Sequence, residues 1–146
     1  MNQSHNKRPR GGFLQLPASN IKVFFLFALS LFFTYAGITH FTNAAFYVGI
    51  MPPWIPAHLE LVYISGVCEI MAGIGVLIPR LRSPAGLGLV ALLIAVYPAN
   101  IHMALNPQLF PDISVVALYV RLALQFVAIY WAYTVTRPDP QPVYLD

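Results

Sequence analysis

Charge is scarce in this sequence: Asp, Glu, Lys and Arg make up 9% of its 146 residues, against roughly a quarter in a water-soluble domain. So little charge cannot cover the outside of a body dissolved in water, which argues against a soluble globule. Acidic residues are scarcer than basic ones, 5 against 8, and the formal charge of +3 comes largely from the first 22 residues. The basic residues neither spread along one face nor interleave with accessible aromatics, so nucleic acid is not an expected partner. Cys68 is the single cysteine. It has no second cysteine to pair with and no basic neighbour in sequence to activate it, and reads as a buried, inert thiol. No close ligand spacing such as His-x₃-His occurs, and no iron–sulfur, flavin or nucleotide motif is visible. His40, His58 and His102, with Met51 and Met103, carry the right chemistry for copper or haem, but their spacing does not favour a metal site. An internal repeat of the kind that many transporters carry is also missing.

What the chain has is apolar length. It is 58% hydrophobic, with a mean hydropathy of +0.68. A helix needs about 20 apolar residues to cross a hydrocarbon core about 30 Å thick, and four segments qualify, at about 21–39, 59–79, 84–104 and 113–136. The fold class expected is therefore all-α, a polytopic membrane protein built as a four-transmembrane-helix bundle. Residues 40–58, with Met51-Pro52-Pro53-Trp54-Ile55-Pro56, are too broken to span and suit a short interfacial helix followed by a loop. Tyr47 and Trp54 fit the headgroup level there.

Seven of the eight basic residues orient this set. Lys7, Arg8, Arg10 and Lys22 precede or open the first span, Arg80 and Arg82 lie between the second and third, and Arg137 follows the fourth. The positive-inside bias puts these on the cytoplasmic side, with both termini inside. The first run is longer than a signal-peptide core and reads as a retained span. Residues 1–20 and 137–146 read as cytoplasmic tails, the latter kept from extending the last helix by Pro138, Pro140 and Pro142.

Glu69, Asn100, His102, Arg121 and Gln125 lie within or at the ends of these spans. An ionisable residue at the bilayer centre costs about 2.5–3.5 kcal/mol on insertion scales and points to function by default. At 1.5 Å per residue, Glu69 is about 15 Å from Pro79, Asn100 about 24 Å from Pro84, and Arg121 about 24 Å from Arg137. The polar set thus gathers in the outer half of the membrane. Helical spacing gives each span a stripe of small and polar residues, of the kind that lets membrane helices approach. The stripes are Ser30-Thr34-Gly37, Gly66-Glu69-Gly73, Gly88-Ala91-Ala95-Ala99 and Ala117-Arg121-Gln125-Ala128-Ala132. They predict a closed bundle with Glu69 and Arg121 pointing inward and pairing, because a lone buried charge is expensive. Pro98 should kink the third span, either for packing or to widen a cavity.

Several motifs follow in order: Gly37-Ile-Thr-His40-Phe41, Tyr47 followed by Met51-Pro52-Pro53, and Val62-Tyr63-Ile64-Ser65-Gly66-Val67-Cys68-Glu69. Leu77-Ile78-Pro79-Arg80, the run from Pro98 to Ala104 and the Arg121/Gln125 pair complete the set. On them rests a resemblance, from about Gly37 to Trp131, to the DoxX-like family of small four-helix bacterial membrane proteins. It implies a bacterial cytoplasmic membrane and a link to redox complexes, with the cofactor held by an oxidoreductase partner subunit and none in the chain itself. His40, Glu69, Asn100 and Arg121 form the candidate polar pocket, with quinone the candidate ligand; no residue is assigned as catalytic or as a metal ligand. Two alternatives stay open: a structural or assembly protein whose Glu69–Arg121 pair only locks the bundle, and a small transporter.

Overall fold

The computed structural model of the chain describes residue 17 and residues 19–138. The two expected tails fall almost wholly outside the described residues. Within them, five α-helices follow in order: α1 (Asn20–Thr42), α2 (Ala44–Gly49), α3 (His58–Gly75), α4 (Arg82–Leu105) and α5 (Val115–Thr136), with a 3₁₀ turn at Pro107–Leu109 before the last. Four of them, α1, α3, α4 and α5, are long and apolar enough to cross a membrane. Their outward faces carry Phe24, Leu31, Met71, Ile94, Val116 and Tyr130, all exposed. Such a surface suits hydrocarbon, where the only way to satisfy the backbone within one segment is a helix.

The boundaries follow local chemistry. Ser114 caps α5, its hydroxyl accepting from the Ala117 amide at 3.2 Å. Pro84 sits in the first turn of α4, where a missing amide hydrogen costs nothing. The helix α3 ends at Gly75, four residues before the expected Pro79. Proline disfavours helical geometry at Ile78 before it, and the chain tightens into turns with Leu77 donating to Ile74 at 3.1 Å and Ile78 to Gly75 at 3.1 Å. Ala57, directly before α3, is left-handed with φ 53°, the one non-glycine residue with positive φ among those described.

The four long helices pack in the cyclic order α1, α3, α4, α5, with α5 returning to α1. The α1/α3 seam is a close one, backbone against backbone. A Cβ on Gly37 would lie 2.6 Å from the Gly66 carbonyl oxygen, and one on Gly73 would lie 2.9 Å from the Thr34 amide nitrogen. Those two predicted stripes therefore meet each other, as small residues permit. The α4 stripe is corrected at Gly88 and Ala91, which are exposed, whereas Ala95 and Ala99 line the central cavity. Gly88 is exposed with nothing near it, and the buried face is Gly86, Leu89, Leu93 and Met103. Small residues on a lipid-facing side carry no penalty, so size alone does not mark the inner face. Cys68 is exposed, not buried, because it precedes the inward Glu69 by one residue and so points about 100° away from it.

The two ends of the bundle differ. Lys22, Arg80, Arg82 and Arg137 lie at one, where Lys22 Nζ donates to the Arg137 carbonyl at 2.7 Å and Arg137 to the Ser83 carbonyl at 3.3 Å. Above this basic end, Leu26, Leu29, Phe33, Val76, Leu89, Leu93, Ala132 and Val135 form a packed core. At the opposite end Ile50, Met103, Ala104 and Leu118 form a second one beneath α2. Between the two clusters the helices part.

Candidate functional site

A cavity of about 580 Å³ occupies this gap, within the range of small-molecule sites. Phe33 and Leu93 belong to the core on its basic side, and Ile50 to the cluster at the other end. Met51, Trp54 and Ile55, from the loop between α2 and α3, also line it. Apolar walls of this kind strengthen a polar interaction made against them.

His40 on α1, Glu69 on α3, Asn100 on α4 and Arg121 on α5 all line this one cavity. They divide into two groups on different helix pairs. On the α1/α3 side, Glu69 Oε2 lies 3.4 Å from His40 Nδ1, and both side chains are 9% exposed. His40 Nδ1 is 2.9 Å from the Ala36 carbonyl oxygen. A carbonyl only accepts, so Nδ1 carries the proton. Tyr47 stacks on the imidazole at 3.8 Å. Its hydroxyl is 2.6 Å from Thr39 Oγ1, which donates to the same Ala36 carbonyl. Thr39 has a single proton and spends it there, so Tyr47 is the donor to Thr39. Glu69 Oε2 is left buried without a hydrogen-bond partner.

On the α4/α5 side the polar groups form a chain. Arg121 Nη2 donates to Asn100 Oδ1 at 2.9 Å, Asn100 Nδ2 to Gln125 Oε1 at 2.6 Å, and Gln125 Nε2 to the Leu93 carbonyl at 2.6 Å. That carbonyl sits next to Ile94, whose own carbonyl loses its helical donor to Pro98. Among the described residues, no carboxylate lies within salt-bridge distance of Arg121.

The expected Glu69–Arg121 pair is corrected by this arrangement. In the cyclic order of the bundle α3 and α5 stand diagonally, so each charge meets a residue of an adjacent helix instead: His40 from α1, Asn100 from α4. Sequence reasoning left Gln125 out of the pocket, although it carried a signal, since it lies one turn from Arg121 on the same stripe. Tyr47 was expected as an aromatic wall, and Phe41, expected beside it, does not line the cavity. That the Tyr47 ring folds back over His40 had no signal in the sequence, because the break at Asn43 between α1 and α2 decides it. The other two described histidines stay apart: His58 Nε2 is 3.1 Å from the Pro52 carbonyl and His102 Nδ1 is 3.1 Å from Asn106 Nδ2. Among the described residues no group of three or more His, Cys, Asp or Glu side chains converges on a common point.

No curated protein and no solved structure matches the chain. Residues 29–136, which contain the cavity and all four candidate residues, match the family model of a domain of unknown function (DUF8561), and the chain belongs to that family.

Proposed function

We propose that this protein is a multi-pass protein of a bacterial cytoplasmic membrane that holds the head of a quinone-like amphiphile in its central cavity, as the membrane subunit of a redox complex. Both ends of the chain face the cytoplasm in this reading, since the basic end of the bundle is the inner one by the positive-inside bias. One observation carries the ligand. An apolar cavity of about 580 Å³ is lined on one side by Glu69, whose buried Oε2 has no hydrogen-bond partner, and on another by Arg121 without a carboxylate. A bundle that used these residues only to lock its helices would pair them, because a stranded buried charge costs several kcal/mol. A ring with an oxygen at each end supplies the missing partners, and apolar walls suit its ring and tail. The protein offers no electron carrier of its own in this reading, so the redox cofactor belongs to a partner.

Titration of the detergent-solubilised protein with a short-chain quinone should show saturable binding. Ser65 lines the cavity and bonds to neither polar group, so Ser65→Phe should fill the space and weaken binding at least tenfold while thermal stability stays close to wild type. Absence of saturable binding by the wild-type protein would leave the structural reading in its place.

A further inference from the structure

The two walls of the cavity differ in hydrogen-bond polarity, and this difference selects between the forms of a ligand. On the α1/α3 wall the protons are already committed. His40 Nδ1–H and the Thr39 hydroxyl both point at the Ala36 carbonyl, and the Tyr47 hydroxyl points at Thr39. With Nδ1 protonated, Nε2 of a neutral imidazole is an acceptor. Glu69 Oε2 lies 3.4 Å from Nδ1, too long for a good bond, and Glu69 when ionised only accepts. Apart from the rotatable hydroxyl of Ser65, one turn away on α3, this wall presents acceptors. The α5 side presents the reverse, since a guanidinium has five N–H groups and no acceptor. One N–H of Arg121 goes to Asn100.

Resting on the quinone-type reading above, we infer that the site prefers the reduced, dihydroxy form of its ligand over the oxidised dione. A hydroxyl can give its proton to Glu69, while the oxygen at the far end of the ring accepts from Arg121. The dione satisfies Arg121 equally well but sets a second acceptor against Glu69, leaving a buried acceptor unmatched. A mismatch of this kind discriminates strongly, because the site's own polar group loses its partner as well. For a two-electron couple, each tenfold preference for the reduced form raises the potential of the bound ligand by about 30 mV.

The test compares three probes of one shape, under anaerobic conditions and with the full chain in mild detergent: a short-chain quinol, its quinone, and the quinol dimethyl ether. The quinol should bind at least tenfold more tightly than either of the others, and Glu69→Gln should bring the quinol-to-quinone ratio close to one. Equal affinities, or tighter binding of the quinone, would overturn the preference while leaving a quinone site in place. A preference retained in Glu69→Gln would overturn its assignment to Glu69. If none of the three binds saturably, both the preference and the ligand class fall. The wild-type comparison decides without any variant, so a poorly folding Glu69→Gln protein does not shield the inference.

Discussion

At the scale of single residues, each of the four candidate residues now has a specific neighbour, and the neighbours imply which substitutions should interact. Glu69 faces His40, whereas Arg121 bonds to Asn100 and through it reaches Gln125. Glu69→Gln and Arg121→Gln should each lower thermal stability in detergent, and the loss in the double variant should equal the sum of the two within about 0.5 kcal/mol. Arg121→Gln combined with Asn100→Leu should depart from additivity by more than that, since the two share one hydrogen bond. Strong coupling between Glu69 and Arg121 would show that the diagonal arrangement is wrong. All four polar positions were legible in the sequence because an ionisable or amide side chain inside an apolar run is costly and therefore conspicuous. Their pairing was not, since the spacing along one helix says nothing about which other helix lies beside it.

At the scale of elements, the α1/α3 seam depends on Gly37 and Gly73 for its closeness and the α4/α5 contact on Gly86, where a Cβ would meet the Thr136 side chain, whereas Gly88 plays no such part. Leucine at Gly37 or Gly73 would drive side-chain atoms into the facing backbone. Each of these substitutions should cost about 1–3 kcal/mol, as overpacking does elsewhere. Gly88→Leu meets nothing within 4 Å and should change stability by less than about 0.5 kcal/mol. Thermal unfolding of the three variants in one detergent checks both statements. A large loss at Gly88 would restore the small-residue stripe as the inner face of α4. Apolar runs and prolines made the helices themselves legible to within a few residues. The early end of α3 and the inner face of α4 were harder to read, because a helix that is apolar all round has no hydrophilic side to mark which face is outside.

At the scale of the whole molecule, the gathering of Lys22, Arg80, Arg82 and Arg137 at one end of the bundle predicts its orientation in a membrane. Reporter fusions after residue 83 and at residue 146 should report cytoplasm. Fusions near Trp54 and Pro107, in the two connections at the opposite end, should report the outside. A cytoplasmic signal at Trp54 would overturn the four-span arrangement. The cavity lies between α2 and the packed core on the basic side, and in that orientation it would fall in the outer half of the bilayer.

Composition and hydropathy alone determined that this chain forms four long apolar helices, since a run of about 20 apolar residues has one stable way to satisfy its backbone in hydrocarbon. The basic residues alone determined the expected orientation, because each lies outside or at the edge of a span, Arg121 excepted. Only the tertiary structure decided that α3 and α5 stand diagonally, that Glu69 therefore meets His40 and not Arg121, and that Tyr47 closes over the imidazole. The reason is range. Hydropathy and positive charge act locally along the chain, whereas the partner of a buried side chain is set by which helices are neighbours and how deeply each is placed.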